Sequence, residues 1–305
     1  MLSAKPWKAD AIARLALSVI ICIFAGSVLM SMQHFASGGG KVSIRMFYPL
    51  AGAALGCLVA ALVLLSRPWP VENISLRLLA LMVCAYGGLF LGMWVQRWSG
   101  IGGTENSIWR VVVASLSFQG AGLILVARFL HEHHVSWSEA FGFANHRRRA
   151  LLLGVLVALL FLPLGWGLQQ ASALMITHLP FFKMQPEEQL PIHVLRVSMS
   201  IPGRITLCAA AILLAPVAEE ILFRGILYPA VKQAGFPRLA LWGSVLLFAA
   251  VHMNAVTFVP LAVLALVLTA LYERTDNLLA PIAAHALFNT LNFVTLFVIE
   301  HTGGA

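Results

Sequence analysis

Polar and charged positions are sparse along this chain. Between them run apolar stretches of roughly 17–25 residues, the length that crosses a bilayer as a helix. They lie near Ile12 to Met32, Met46 to Leu65, Leu76 to Val95, Arg110 to Leu130 and Ala150 to Met175. A second group follows at Arg204 to Val231, Leu239 to Val251, Thr257 to Tyr272 and Leu278 to Ile299. Two of the late stretches are short and also fit as halves of one broken span, so the pattern predicts about eight to nine spans. The expected fold is all-α, a polytopic transmembrane helical bundle. The first stretch is flanked by Lys5, Lys8 and Arg14. It is longer than a signal-peptide core and precedes further spans, so it is expected to be a retained helix.

Composition agrees with this pattern. Hydrophobic residues make up 60% of the 305 residues and charged residues 10%, and the mean hydropathy is +0.88. A soluble domain of this length needs more polar surface. The formal charge of +8 then reports membrane orientation rather than nucleic-acid binding, and no nucleic-acid partner is expected. With the N-terminus inside, twelve Lys and Arg fall on the inner side and seven on the outer, Arg224 being set aside as intramembrane. The bias predicts a cytoplasmic N-terminus in a plasma (inner) membrane. The run His146–Arg149 is the strongest inner anchor, with headgroup contact as its expected role.

Several motif-like segments carry no chemistry. His131 to Val135 reads HEHHV, which departs from HExxH at the second histidine. The GxxxG segments Gly52 to Gly56 and Gly88 to Gly92 signal close helix packing. Glu187 and Glu188 sit in a polar loop. Cys22, Cys57, Cys84 and Cys208 fall in apolar spans without a CxxC pair and read as small core residues.

Leu213 to Val231 is different: LLAPVAEEILFRGILYPAV places Glu219, Glu220 and Arg224 inside a spanning stretch. A charge at mid-helix costs about 2.5–3.5 kcal/mol on insertion. Glu220 and Arg224 are four apart with the acid first, the favourable order for a helical ion pair. Glu219 points about 100° around the helix from Glu220 and lacks such a partner. Polar candidates occur downstream in other apolar stretches. His252 follows Phe248 by four residues in LLFAAVHMN, and PIAAHALFN places His285 and Asn289 on one helix face. Intramembrane ionisable groups mark functional sites by default.

EEILFR, FAAVH and HALFN, in this order and within the last third of the chain, resemble the EExxxR, FxxxH and HxxxN motifs of the CPBP intramembrane proteases, also called the CAAX-protease or Abi family. The resemblance covers roughly Arg204 to Ile299. It divides the chain into N-terminal transmembrane helices over 1–200, about five spans, and a catalytic core over 201–305.

The residue chemistry supports hydrolysis of a peptide bond by an activated water. Glu219 is the expected general base, with His252 holding the same water. His285 and Asn289 are the donors that stabilise the oxyanion, and the resemblance implies the same roles. Glu220 and Arg224 are the expected supporting pair, with Phe248 beside His252. The reaction implied is that of an intramembrane endopeptidase acting near the cytoplasmic face. Its partners would be the bilayer and a peptide or protein substrate, lipidated or membrane-anchored.

A divalent metal such as zinc remains open. Glu219, His252 and His285 with a water would meet a catalytic zinc count, and the metal-free arrangement is the preferred expectation. Two other classes fit part of the pattern. One is a non-catalytic membrane scaffold or bacteriocin-immunity protein; the other is a proton-coupled transporter, disfavoured by the absence of an internal repeat. His252 raises a geometric difficulty, since a straight helix from Arg238 would carry it to the outer end. A break near Asn254 is therefore expected.

Overall fold

The computed structural model describes residues 2–36, 115–178 and 201–302 apart from Met253. Every regular element among them is helical. They are α1 (Ala9–Ala36), α2 (Ala121–Glu132), α3 (Trp137–Phe141), α4 (Arg147–His178) and α5 (Ile201–Ala209). Then come α6 (Ala215–Glu220), α7 (Tyr228–Gln233), α8 (Pro237–Ala250), α9 (Ala255–Thr275) and α10 (Leu279–Thr302). Among the described residues, five segments are long and apolar enough to cross a membrane: Ala9–Ser27, Arg147–His178, Gly203–Gln233, Ala255–Thr275 and Leu279–Val298. The chain is an all-α integral membrane protein. The expected spans Met46 to Leu65 and Leu76 to Val95, both GxxxG segments, Cys57, Cys84, Glu187 and Glu188 lie outside the described residues.

The helix that carries the charged stretch is not a uniform α-helix. π-Helical turns over Ala210–Leu214 and Ile221–Leu227 join α5, α6 and α7. Each turn ends two residues before a proline, Pro216 or Pro229. Proline has no N–H, and its ring collides with the carbonyl four residues earlier. Lengthening the local step relieves that collision: the Ala215 N–H bonds back to Ala210 and the Tyr228 N–H to Phe223, five residues each. Such π turns inside α-helices recur at functional sites. Here they bracket both glutamates.

The chain forms two compact units. In the unit Trp7–His133, α1 and α2 bury Leu15, Val126, Phe129 and Leu130. Arg14 is buried on α1, bonded to Asp10 at 3.0 Å and to Glu132 Oε2 at 3.0 Å. His133, from the HEHHV segment, is occupied structurally. Its Nδ1 lies 2.8 Å from the Phe129 carbonyl, and its Nε2 accepts from the Lys8 N–H at 3.1 Å.

The other unit comprises Met1–Pro6 and His134–Ala305. Its long helix α4 buries Ala150, Gly154, Ala158, Phe161 and Gly165, a mostly small-residue stripe with one turn between members. Small residues let backbones approach where lipid removes the hydrophobic drive between helices. At Gly154 a Cβ would stand 2.5 Å from the Ala280 carbonyl oxygen of α10. The other face exposes Leu151, Leu152, Leu156, Leu159 and Leu160, the composition of a lipid-facing surface. α8 stops at Ala250, and Asn254 caps α9 by accepting from the Thr257 N–H at 3.0 Å. The chain thus breaks where His252 requires it.

The turn between α9 and α10 is tied from two directions. Phe141 O accepts from Leu278 N–H at 2.9 Å, and the Asn277 amide donates to the Asn145 carbonyl. Ser3 donates its N–H and its hydroxyl to Asp276 at 3.2 and 3.1 Å, and Lys5 stands 3.8 Å from the same oxygen. This turn sets the start of α10, which carries His285.

Candidate active site

Glu219 and Glu220 end α6, between the two π turns. Glu220 is wholly buried and Arg224 is 1% exposed. Arg224 Nη1 donates to Glu220 Oε1 at 2.8 Å, and its Nη2 reaches the Ala265 carbonyl on α9 at 3.3 Å. The same Glu220 oxygen lies 2.9 Å from Nδ1 of His285 on α10. Glu220 Oε2 is buried and has no hydrogen-bond partner among the described residues. The opposite side of the His285 ring faces the other glutamate, with Nε2 4.0 Å from Glu219 Oε2. That separation is too long for a direct hydrogen bond. A water bonded to both atoms would sit off the line joining them.

Phe248 joins the remaining parts. It is fully buried, with the Arg224 guanidinium 4.4 Å from its ring centroid. The His252 ring lies 5.0 Å from it and the His285 ring 5.7 Å. One phenyl ring therefore contacts both motif histidines and the motif arginine. A cation over an aromatic face is favourable where water is excluded. His252 follows the end of α8, and its Nδ1 is 2.7 Å from the Phe248 carbonyl. A carbonyl only accepts, so Nδ1 carries the proton, and Nε2 of the neutral ring is left as an acceptor.

Asn289 lies one turn beyond His285. Its Nδ2 donates to the Ala211 carbonyl at 2.9 Å. The reason lies in the first π turn. The Ala215 N–H, which would serve Ala211 in an α-helix, bonds to Ala210, and the residue five beyond Ala211 is Pro216, which has no N–H. The asparagine satisfies a carbonyl that its own helix cannot.

Glu219, Glu220, Arg224, Phe248, His252 and His285 are thus brought together by direct contacts, and Asn289 is bonded to the helix that carries the glutamates. Sequence reasoning missed three features. Glu220 serves His285 as well as Arg224; Ala211 and Ala265 contribute carbonyls; and the close approach that Gly225 allows is to the Phe141 ring, 2.7 Å from where a Cβ would stand, rather than to a backbone. The prolines were the available signal for the first π turn and its orphan carbonyl.

Among the described residues no group of three or more His, Cys, Asp or Glu side chains is spaced to hold a metal ion. Glu219, His252 and His285 are thus not spaced as a three-ligand set in this arrangement.

Among known proteins, the UPF0177 protein YaiF of Lactococcus lactis subsp. lactis (strain IL1403) is 28% identical over 158 residues, 50% of this chain and 68% of that protein. No solved structure gives a significant match. Residues 201–291, which hold both glutamates, Arg224, Phe248, both histidines and Asn289, match the family described as type II CAAX prenyl endopeptidase Rce1-like. Over that segment, about a third of the chain, the protein is similar to this family.

Proposed function

We propose that the protein is an intramembrane endopeptidase that hydrolyses a peptide bond of a membrane-associated protein, with Glu219 as general base. The observation that carries this reading is the pair of buried glutamates converging on His285 inside the Rce1-like segment. Two buried carboxylates against one arginine are costly to keep in a membrane for packing alone.

The reaction follows from the side chains. A water held by Glu219 and by His252 Nε2 attacks the scissile carbonyl carbon. Its oxygen forms the new C–O bond, one proton passes to Glu219, and the carbonyl electron pair moves onto oxygen. Asn289 and His285 stabilise that oxyanion. When the C–N bond breaks, the proton is returned to the leaving nitrogen. The acyl half departs as a carboxylic acid and ionises. The substrate is a lipidated or membrane-anchored tail presented near the cytoplasmic face, with the N-terminus of the protease on that side of the plasma membrane. In this reading residues 1–200 serve the substrate and 201–305 the chemistry.

The test compares peptide termini in membranes carrying wild type or Glu219→Gln at matched expression. New termini restricted to wild type support the protease. Equal termini with a stably inserted variant favour a scaffold or immunity protein. That second reading draws on the internal bonds of Asn289 and His252, which also fix helix packing.

A further inference from the structure

We infer that Glu220 is a positioning residue for His285: its carboxylate holds the imidazole in the Nδ1–H tautomer and turns Nε2 toward Glu219. The inference rests on the endopeptidase reading for its catalytic meaning, but its structural content stands on two distances and one rule of donor chemistry.

Glu220 Oε1 lies 2.9 Å from His285 Nδ1 and 2.8 Å from Arg224 Nη1. An ionised carboxylate only accepts. Arginine only donates, so Glu220 Oε1 already accepts one hydrogen bond, from Arg224 Nη1. The proton between Glu220 and His285 therefore belongs to Nδ1. In the neutral ring the other nitrogen then carries a lone pair, and Glu219 Oε2 stands 4.0 Å from it. Phe248 supports the ring from the side at 5.7 Å. Both partners are buried, Glu220 completely and His285 to 3% exposure, so solvent does not compete for the Nδ1 proton.

This arrangement divides the oxyanion pair. The Asn289 amide donates at all times, whereas His285 Nε2 donates only after it has received a proton. The proton available at that moment is the one Glu219 takes from the attacking water. It passes from Glu219 to Nε2, and the resulting imidazolium lies between two carboxylates. From there it goes to the leaving nitrogen, so no proton is gained or lost over the cycle. Glu220 is wholly buried, and its partners are Arg224 and His285. It acts through His285, as a carboxylate orients an imidazole in other hydrolases.

The other charged groups around His285 leave this picture intact. Arg224 lies behind Glu220, and His252 lies across the Phe248 ring. On α4 and α9, which flank α10, the acidic and basic residues cluster at the ends, Arg147 to Arg149 with His178, and Glu273 with Arg274.

The test uses the full-length chain in lipid nanodiscs with 15N-labelled histidine, His285 being assigned by its loss in His285→Gln. The long-range 15N–1H pattern of the neutral ring is read in wild type and in the double variant Glu220→Leu with Arg224→Met. The double change removes both charges, so neither is left buried alone. Wild type is expected to show Nδ1–H, and the double variant to lose that preference. An Nε2–H tautomer in wild type overturns the inference, whether or not any variant folds. Retention of Nδ1–H in the double variant overturns it as well. With a cleavable substrate, kcat in the double variant is expected to fall about 10²-fold or more with KM little changed. A wild-type Nδ1–H signal without any Glu219-dependent cleavage would retire the protease reading alone.

Discussion

Glu220 and His285 are 65 residues apart in the chain, yet a carboxylate oxygen of one lies 2.9 Å from Nδ1 of the other. The contact joins α6 to α10 and places one imidazole between two glutamates. Glu220 is thereby more than the partner of Arg224: one of its oxygens serves a cation on its own helix and a ring on another. The chemistry proposed for Glu219 depends on this frame, because the ring faces Glu219 through the nitrogen that Glu220 does not use.

Glu219→Gln keeps the shape of the side chain and removes the base. Turnover of a cleaved substrate is expected to drop by about 10²–10⁴-fold, with insertion and thermal stability close to wild type. The check is turnover measured beside an unfolding transition on the same purified samples. A parallel loss of both would point to a structural role.

Arg224→Met strands the Glu220 carboxylate in a fully buried position. Breaking one side of a buried pair costs about 3–5 kcal/mol, whereas replacing both sides by apolar groups is often nearly neutral. Arg224→Met is therefore expected to unfold far more readily than Glu220→Leu with Arg224→Met. Denaturant titrations of the two variants in the same detergent decide it. If the double variant is no more stable than the single, the coupling is not as described.

Much of this architecture was legible in the chain. The stretch Arg204 to Val231 corresponds to a helix running from Ile201 to Gln233, and Leu278 to Ile299 to Leu279–Thr302, because bilayer-length apolar runs report spans directly. Geometry around His252 required an interruption, and Asn254 caps a new helix there. The contact between Glu220 and His285 was not legible, since i,i+4 spacing identifies Arg224 as a partner but says nothing of a ring on another helix. The π turns were also missed. Periodicity assumes 3.6 residues per turn throughout, and Pro216 and Pro229 locally override it.

Close approach at Gly225 is expected to tolerate no side chain. A Cβ there would meet two carbons of the Phe141 ring at 2.7 and 2.9 Å, and Phe141 is fully buried. Gly225→Ala should cost about 1–3 kcal/mol through overpacking, and Phe141→Leu in the same chain should recover part of it. Recovery is read as the difference in unfolding midpoint between the single and double variants.

Two groups outside the spans make stability rise with pH in two separate windows. Burial pushes the pKa of Lys5 below its ordinary value, with Asp276 partly opposing. The unfolded chain then binds that proton more tightly, so stability rises with pH between the lowered and the ordinary lysine values. Glu139 is held below the usual carboxylate range by hydrogen bonds from Ser136. Its contribution is present above the ordinary carboxylate range and is lost as pH falls through the depressed value. Lys5→Met should flatten the alkaline slope of a stability–pH profile, and Ser136→Ala the acidic one. Unchanged slopes would rule out these assignments.

Asn289 combines two roles that a pair of substitutions can separate. Its amide donates to the Ala211 carbonyl at 2.9 Å, an acceptor that the π turn and Pro216 together leave without a helical donor. Asn289→Leu removes that donor as well as the oxyanion donor, and is expected to cost about 1 kcal/mol of stability along with most of the turnover. Pro216→Ala supplies a backbone N–H five residues beyond Ala211, the step this segment already uses at Ala215. The combined variant should therefore regain stability without regaining activity, because the new N–H repairs the helix and offers nothing to a substrate. Unfolding midpoints and turnover are measured on the same three proteins. Recovery of both together would mean that Asn289 acts only by holding the π turn; recovery of neither would mean that the Ala211 carbonyl is not what Asn289 stabilises.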